Sequence, residues 1–559
     1  YSYCAMFGDS LSDPRLDPYP DALLRLLAEH GVNGVWLHTV LRQLAPGGRH
    51  FPELGEGHEK RLKNLRNLVE RARRHGIDVY LYINEPRAMP HDFFRTHADA
   101  AGIRSGEFTA MCTSHPPVRQ WLSDSLAHVF RQVPGLGGVF TITASENLTN
   151  CASHGGREGC PRCTKRTDAE IIAQVNAAIA EGVHRSAPDA KVVAWDWGWN
   201  GHGDARTTIE RLPESIWLMS VSEWGLPIER GGVQSAVGEY SLSAVGPGPR
   251  STLHWQHAKQ HGLKTIAKVQ FNNSWELAST PYLPVLDLVA EHCEHLAQAD
   301  VDGVMLSWSL GGYPSMNLEV AGLMAGKSRI SRHEALNKVA ERHFGAEAAP
   351  LVRQAWTQFS NAFRAYPFHI SVVYNAPQQM GPANLLYGQP TGYAATMVGI
   401  PYDDLDGWRG PYRHEVFAAQ FEKVADDWSK GLVHLESAQR LVPDELREEA
   451  QADLRVAKAA RIHFASVANQ ARFVIVRDGL RSNPPNIEKG QMQREAMKLI
   501  DRETRLAKEL YELSSTDSRL GYEASNHYFY VPNDLIEKVI NCEYVRRQLP
   551  VVSSADTGK

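Results

Sequence analysis

The amino-acid sequence predicts an α/β protein in which a (β/α)8 TIM barrel is followed by a C-terminal α-helical domain. Three observations lead to this prediction. Short apolar runs alternate with amphipathic stretches through residues 1–323, a glycine closes several of those stretches, and helical periodicity fills residues 324–559. Strands that alternate with helices over such a length are typical of a closed parallel barrel. We therefore predict a barrel at 1–323 and a helical domain at 324–559.

The predicted elements of the barrel follow one another regularly. Ile77–Ile83 (IDVYLYI) and Val139–Ala144 are apolar almost throughout, as strands buried on both faces are. Gly31 and Gly76 each follow an amphipathic stretch and supply the left-handed residue that ends a helix. In chain order the predicted strands are Tyr1–Phe7, Val32–His38, Ile77–Ile83, Val139–Ala144, Lys191–Ala194, Ile216–Val221, Lys264–Phe271 and Gly303–Ser307. Helices are predicted between them at Asp21–His30, Glu59–His75 and Ala169–Arg185.

A doubly wound open sheet is the alternative architecture for the first half of the chain. Such a sheet usually carries a glycine-rich phosphate-binding loop after its first strand. The residues that follow Tyr1–Phe7 read GDSLSDP, which is not such a loop. The barrel is therefore the predicted architecture.

The second half of the chain is predicted to be helical apart from one long segment. Amphipathic patterns predict helices at Arg332–Phe344, Ala349–Arg364, Glu415–Leu441, Asp444–Gly479, Lys489–Leu513 and Asn533–Gln548. Between them, residues 374–410 are rich in Gly, Pro, Tyr and Asn. Loops of this length are uncommon in compact domains and are often functional. We predict that this segment covers the active-site mouth of the barrel, or that of a neighbouring subunit.

Composition excludes several classes of function. The hydrophobic content of 43% and charged content of 22% are ordinary globular values, and the net charge of −5 argues against nucleic acid as a partner. No apolar run approaches the roughly 18 residues that span a bilayer, so no membrane partner is expected. The 7 cysteines are too few for a disulfide scaffold. We expect a cytoplasmic location, and the sequence leaves open whether the protein is a homo-oligomer.

Polar and aromatic residues recur where the predicted strands end, which is the edge at which barrel enzymes build their active sites. Aromatic faces cover the apolar face of a sugar ring, while carboxylates and carboxamides bind its hydroxyls. The pattern therefore predicts a carbohydrate substrate. The predicted substrate-binding residues are His38, Asn84, Glu85, Asn147, Trp195, Asp196, Trp197, Trp199, Trp224, Gln270, Asn272, Asn273, Trp275, Trp308 and Tyr313.

Glycoside hydrolysis uses two carboxyl groups, one of them a general acid. Glu146 follows the fourth predicted strand and is the predicted acid, with a pKa raised by apolar walls of tryptophan. Glu223 and Glu276 compete for the second role: Glu223 lies at a strand end, whereas Glu276 lies beyond Phe271. Carboxyl groups about 5–5.5 Å apart indicate retention of configuration, and a separation of about 6.5–9.5 Å indicates inversion.

Each of these residues also has a purely structural interpretation. Glu146 would then pair with a basic residue of a neighbouring strand, and Glu85 with the nearby Arg87. Asp196 would hold a loop. His115 is a further candidate that would either bind substrate or cap the following helix, and the cap is favoured. The sequence alone leaves these alternatives open.

A cluster of cysteines after the fourth predicted strand indicates a metal site. Cys160 and Cys163 have the short spacing of a zinc knuckle, and Cys151 with His154 would complete a tetrahedral set. A closed site of this kind would brace the loop and take no part in catalysis. We therefore expect a structural zinc ion and no catalytic cofactor, with free thiols as the alternative.

These features together resemble a retaining glycoside hydrolase of the β-N-acetylhexosaminidase group (family 20 and its relatives). The resemblance covers about residues 1–320 and implies release of an N-acetylhexosamine by an acid glutamate after the fourth strand. In that family an aspartate before the acid orients the substrate's acetamide, whereas this chain has Ser145 there. A second resemblance, to retaining barrel enzymes with glutamates on strands four and seven, implies Glu146 as acid/base and Glu276 as nucleophile.

Two further functions remain open. A metal-dependent barrel isomerase or lyase would use His38, Glu85, Asp196 and Glu223 as ligands of a divalent cation. A non-catalytic carbohydrate-binding barrel would use the same tryptophans without the acid. We expect the glycosidase.

Overall fold

The computed structural model describes residues 8–326, 330–523 and 528–548. Contacts divide the chain into two compact units. The first, here called the sheet unit, comprises Tyr1–Ser222, Arg250–Lys268 and Ala299–Met305. The second, the helical unit, comprises Glu223–Pro249, Val269–Gln298 and Leu306–Lys559. Several segments before residue 323 thus belong to the helical unit. The domain boundary at residue 323 remains a prediction.

A parallel sheet of seven strands forms the centre of the sheet unit within the described ranges. Its strands are β1 (Gly34–His38), β2 (Asp78–Ile83), β6 (Gly138–Ile142), β7 (Lys191–Trp195), β8 (Ile216–Val221), β11 (Lys264–Lys268) and β12 (Gly303–Met305). They lie side by side in the order of the sequence, β1-β2-β6-β7-β8-β11-β12. β1 pairs with β2 from Gly34 opposite Asp78 to His38 opposite Tyr82.

This strand order decides between the two predicted architectures. A doubly wound sheet reverses its strand order at a switch point, whereas a singly wound sheet keeps the order of the sequence. The observed order is sequential, so the doubly wound alternative is wrong. The strand predicted at Tyr1–Phe7 lies outside the described residues, and closure into an eight-stranded barrel therefore remains a prediction.

Helices connect the strands of the parallel sheet. They are α1 (Asp21–Glu29), α2 (His58–Arg74), α3 (Pro116–Gln132), α4 (Asp168–Ser186), α5 (Arg206–Ile209) and α6 (Pro249–Gln260). The prediction of α1, α2 and α4 is confirmed to within two residues at each end. A capping box between Thr167 and Glu170 begins α4. Leu65 and Val69 of α2 lie in the same buried cluster as Val79 and Val139 of the sheet.

Two small antiparallel elements were not predicted. β3 (Met89–Pro90), β4 (Ala101–Ser105) and β5 (Phe108–Met111) form a three-stranded sheet in the order β3-β5-β4, inserted after β2. β9 (Pro227–Arg230) and β10 (Val233–Ala236) form a hairpin. These strands are short and lack the apolar runs from which the long strands were predicted, so their pairing is set by tertiary context.

The helical unit is built mainly from long helices. The remaining helices are α7 (Leu286–Gln298), α8 (Met316–Ala325), α9 (Arg332–Phe344), α10 (Ala349–Phe363), α11 (Ile370–Asn375), α12 (Leu405–Trp408), α13 (His414–Ala438), α14 (Arg447–Arg481), α15 (Asn486–Thr516) and α16 (Pro532–Gln548). The predicted helices of this half are confirmed as α9, α10 and α13–α16. In the core, Trp428 stacks on Phe359 with ring centroids 4.5 Å apart. A Cβ at Gly431 would lie 2.5 Å from the Phe359 ring, so this glycine allows α13 to approach α10 closely.

The long segment 374–410 belongs to the helical unit. Trp408 is fully buried, and its indole N–H donates to the Pro401 carbonyl over 2.9 Å. With Arg477 and Asp478 of α14, the segment lines a cavity of about 440 Å³ that contains none of the predicted substrate-binding residues. Its position over the barrel mouth remains a prediction. No helix in the described ranges is long and apolar enough to cross a membrane.

Candidate functional site

In the sheet unit, chemically reactive residues follow the carboxyl ends of neighbouring parallel strands. His38 ends β1, Glu85 follows β2, Glu146 follows β6, and Asp196 follows β7. Because parallel neighbours end at the same edge of a sheet, these positions share one edge. The environments of the four side chains differ, and these differences separate structural from chemical roles.

Glu85 and His38 hold the backbone around the ends of β1 and β2. The buried Glu85 carboxylate accepts hydrogen bonds from the N–H groups of Leu41 (2.7 Å) and Arg87 (2.8 Å). Burial raises the pKa of Glu85, and these two N–H groups oppose the rise. His38 Nε2 lies 2.8 Å from the Arg87 guanidinium, and burial, reinforced by that charge, lowers the pKa of His38 to about 4. His38 is therefore a neutral acceptor, and Arg87 contacts both residues.

Asn84 is buried beside these residues. Its side-chain amide donates to the Tyr82 hydroxyl over 2.8 Å, and Tyr82 in turn stacks on Phe140. The side-chain oxygen of Asn84 is buried without a hydrogen-bond partner in the described part of the chain. Buried polar atoms are normally satisfied, so this oxygen is a candidate acceptor for a bound hydroxyl group.

Asp196 is the centre of a buried polar network. Its carboxylate accepts hydrogen bonds from Ser220 Oγ (2.7 Å) and contacts His254 Nδ1 (2.6 Å). Arg250 donates to the Asp196 carbonyl over 2.9 Å and lies 3.7 Å from the carboxylate. Burial alone would raise the pKa of Asp196, but Arg250, His254 and Ser220 hold it below its ordinary value. Asp196 is thus a buried anion that is held on several sides, and the sequence did not predict its partners.

The three tryptophans after β7 are not equivalent. Trp195 and Trp199 are fully buried, and the Trp199 indole N–H donates to Thr143 Oγ1 over 3.3 Å. Trp197 is partly exposed and meets Trp195 edge-on, with ring centroids 5.6 Å apart. The ammonium group of the buried Lys268, at the end of β11, lies 6.0 Å from the Trp195 ring. Sequence reasoning missed Lys268 because the predicted strand extended to Phe271, which placed Lys268 inside the strand and not at its end.

Glu146 differs from the other strand-end carboxylates because it is exposed, so the prediction that apolar walls of tryptophan enclose it is wrong. It lies on a turn that begins at Ala144, which has a φ of 58°, a conformation that costs a non-glycine residue about 1–2 kcal/mol. The turn is held at both sides: Ala144 N–H donates to Thr149 Oγ1 (3.2 Å), and the Ala144 carbonyl contacts His202 Nε2 (2.8 Å). Backbone strain of this kind is concentrated at functional sites.

His154 fastens the same turn. Its Nε2 lies 3.0 Å from the Glu146 carbonyl, and its Nδ1 lies 3.1 Å from Ser105 Oγ of β4. Both ring nitrogens of His154 are therefore engaged. The neighbouring Asn147 is partly exposed.

In the helical unit, Glu223 and Glu276 are both fully buried but have different neighbours. Glu223 Oε1 lies 3.4 Å from His292 Nε2, and burial lowers the pKa of His292 to about 3, so this imidazole is neutral. Glu276 accepts hydrogen bonds from Ser241 Oγ (2.8 Å), Leu242 N (2.6 Å), Ser243 N (3.2 Å) and Ser274 Oγ (2.6 Å). The Glu276 carboxylate thus organises the loop 241–243.

Most of the remaining predicted substrate-binding residues of the helical unit form hydrogen bonds or ring contacts within that unit. Asn272 donates to the carbonyls of Gly311 and Tyr313, both over 2.6 Å. Asn273 donates to two backbone carbonyls, Gln270 accepts from the Trp308 N–H over 3.1 Å, and Trp275 is buried beside Tyr374. Tyr313 is exposed, and its hydroxyl accepts from Arg519 over 2.8 Å. Trp224 and Trp308 are partly exposed.

The structure changes the predicted metal-ligand set at one position. Cys151, Cys160 and Cys163 are gathered with Cys112, which directly follows β5, and all four are buried. His154 is not a member of this group because its ring nitrogens contact Ser105 and Glu146. Cys112 was missed because it lies far from the other cysteines in the sequence.

Comparison with known proteins locates the fold among glycoside hydrolase structures. A GH138 enzyme targeting pectin rhamnogalacturonan II is 12% identical, with 95% of this chain and 64% of that chain covered and a TM-score of 0.56. A family 89 glycoside hydrolase from Clostridium perfringens, in complex with GlcNAc-α-1,4-galactose, is 13% identical over 96% of this chain and 59% of that chain, with a TM-score of 0.48. A chitobiase from Flavobacterium johnsoniae is 12% identical over 93% and 76% of the two chains, with a TM-score of 0.37.

These similarities concern the fold. The chain spans 64% and 59% of the length of the first two structures. No protein-family profile matches the sequence, and no curated protein matches it either.

Proposed function

We propose that the protein is a glycoside hydrolase that cleaves a glycosidic bond of a glycan or glycoside, with Glu146 as its general acid. The observation that carries this proposal is the exposed Glu146 carboxylate on the strained turn that follows a parallel strand. The sequential strand order and the fold likeness to a GH138 enzyme support a (β/α)8 barrel as its framework. Carbohydrate as the partner and a cytoplasmic location remain part of the proposal.

In the proposed reaction, Glu146 donates a proton to the oxygen of the leaving sugar as the glycosidic bond breaks. An exposed acid can reach a bound glycoside without rearrangement of the core. The hydrogen bonds of Ala144 and His154 on the surrounding turn would hold its backbone while the carboxyl group cycles between its protonation states.

For the second carboxylate, the contacts of Glu276 favour Glu223. Glu276 is surrounded by four hydrogen-bond donors, two of them backbone N–H groups, which lower the nucleophilicity of a carboxylate. Glu276 thereby holds the loop 241–243, which leaves Glu223 as the other predicted carboxylate. We therefore assign the nucleophile or base to Glu223 ahead of Glu276.

Two classes of glycoside are candidate substrates. Release of an N-acetylhexosamine follows from the resemblance to family 20 hexosaminidases, but Ser145 replaces the aspartate that would orient the acetamide. The similar GH138 structure is of an enzyme that targets pectin rhamnogalacturonan II. Amino-sugar glycosides and pectin fragments are therefore the first substrates to test.

The isomerase alternative receives less support from the same side chains. A divalent cation needs several ligand atoms that converge. In the sheet unit, the oxygens of Glu85 bind backbone N–H groups, His38 Nε2 contacts Arg87, and Asp196 contacts His254 and Ser220. These contacts use both oxygens of Glu85, Nε2 of His38 and one of the two oxygens of Asp196, so fewer atoms are left to bind a metal.

The test is hydrolysis of a panel of nitrophenyl glycosides, including N-acetylhexosaminides, together with rhamnogalacturonan fragments. We expect Glu223→Gln to abolish hydrolysis and azide to restore it. The matched control is Glu229→Gln, an exposed glutamate of β9 in the same unit, which should keep full activity. Binding of sugars without hydrolysis by the wild-type protein would instead identify a carbohydrate-binding barrel, and activity abolished by EDTA would favour the isomerase.

A further inference from the structure

Four cysteine thiols from separate segments of the sheet unit meet at one point. Cys112 follows β5, Cys151 lies in the loop after β6, and Cys160 and Cys163 lie further along the same loop. All four are buried, and their Sγ atoms all lie within 4.8 Å of one another. Buried thiols without a metal are common singly, but a group of four requires an explanation.

The distances between the sulfur atoms indicate a metal-binding geometry. Cys112 Sγ lies 3.6 Å from Cys160 Sγ and 3.8 Å from Cys163 Sγ. A tetrahedral ion with metal–sulfur bonds of about 2.3 Å separates its sulfur ligands by about 3.8 Å. A disulfide would bring two of them to about 2.05 Å. Both distances match the spacing of sulfur ligands around one ion and are too long for a disulfide.

We propose that Cys112, Cys151, Cys160 and Cys163 bind one structural zinc ion. Four thiolates fill a tetrahedral shell and leave no open position for water or substrate, which is the property of structural rather than catalytic zinc. A tetrahedral set of four sulfurs selects zinc or iron among the common metals. An iron–sulfur cluster would hold the thiolates further apart, since sulfide ions would lie between them.

The surroundings of the four thiols fit this role. Ser114 Oγ lies 3.2 Å from Cys163 Sγ and can donate to a thiolate, as outer partners of metal ligands do. A Cβ at Gly102 of β4 would lie 2.6 Å from Cys151 Sγ and 3.0 Å from the Ala110 carbonyl. Only glycine therefore fits where the β4–β5 hairpin approaches Cys151.

The zinc ion would connect two insertions of the sheet unit. Cys112 belongs to the small sheet after β2, whereas the other three cysteines belong to the loop between β6 and α4 that also carries Glu146. The ion would thus link this loop to the small sheet. The consequence for Glu146 rests on the proposed function, but the metal site itself does not.

The test is elemental analysis of the purified full-length chain. We expect about one zinc per chain in the wild type and in His154→Ala, and a loss of most of it in Cys112→Ser. Cys293→Ser, which changes a cysteine of the helical unit, should keep the metal. Cobalt-substituted wild type and His154→Ala should share the same intense thiolate-to-metal absorption.

If Cys112→Ser does not fold, the wild type still decides the question: an organomercurial thiol reagent should release one zinc per chain, measured with a metal-binding dye. Metal-free wild-type protein, iron in place of zinc, or a zinc content that depends on His154 would each overturn the proposal. Zinc-free protein that hydrolyses glycosides would overturn the zinc site alone. Zinc-containing protein without hydrolysis would overturn the proposed function alone.

Discussion

Replacement of Glu276 by glutamine should destabilise the helical unit by about 2–4 kcal/mol. The glutamine amide offers one acceptor and one donor where the carboxylate offered two acceptors. Leu242 N–H donates to one carboxylate oxygen and Ser243 N–H to the other, so either amide orientation leaves one backbone N–H facing an NH₂ group. The serine hydroxyls can rotate, but the N–H cannot. A lost hydrogen bond to a charged group costs about 1.5–3 kcal/mol, and the remaining bonds weaken as the charge disappears.

The assay is urea unfolding followed by tryptophan fluorescence, with Glu229→Gln as the exposed control in the same unit. The unfolding midpoint should fall in Glu276→Gln and stay constant in Glu229→Gln. An unchanged midpoint together with a loss of turnover of two or more orders of magnitude would refute the reasoning. Glu276 would then be a catalytic carboxylate, as the resemblance to enzymes with glutamates on strands four and seven implies.

The remaining predictions concern three other carboxylates. Glu146→Gln should lower turnover on a glycoside with a poor leaving group by about 10²–10⁴-fold and on an activated aryl glycoside much less, with an unchanged unfolding midpoint; equal losses on both would contradict its role as the acid. Asp196→Asn should cost about 3–5 kcal/mol at pH 7, because it leaves Arg250 without its buried anion. Because the pKa of Asp196 is lowered in the folded state, its contribution to stability is present above about pH 4 and is lost as the pH falls through the folded-state pKa. The difference in unfolding midpoint between the wild type and Asp196→Asn should therefore shrink in acid. A difference that does not depend on pH would be contrary evidence. Burial raises the pKa of Asp453 in the helical unit to about 7, so the folded state favours the protonated carboxyl group. The stability that this group contributes is present below about pH 4 and is lost as the pH rises to 7. Asp453→Asn should therefore be more stable than the wild type at pH 8 and similar at pH 4, as measured by thermal unfolding.

The order of elements was largely predictable from the sequence because it depends on local patterns. β8 was predicted with the bounds that the structure shows, and so was α9. The apolar runs and the glycines that end helices act over a few residues, so they need no tertiary information. The β3–β5 sheet was not predictable in this way, since its strands are short and Pro90 and Gly102 interrupt them.

The cluster of four cysteines was predictable only in part. The CxxC spacing of Cys160 and Cys163 correctly indicated the cluster, but proximity in the sequence favoured His154 over Cys112 as the fourth member. Which residue completes such a group depends on which loops meet in space. Here the β4–β5 hairpin brings Cys112 to the three other thiols, while His154 turns to Ser105 and Glu146.

The sequence by itself determined which carboxylates follow strand ends, because chain order and strand pattern are both local. Only the tertiary structure decided which of these carboxylates are buried and hydrogen-bonded. Glu85, Asp196 and Glu276 are buried among donors that come partly from distant segments of the chain, whereas Glu146 is exposed on a strained turn. Desolvation and hydrogen bonding are set by packing between segments that are remote in sequence, so no local pattern distinguishes these four residues.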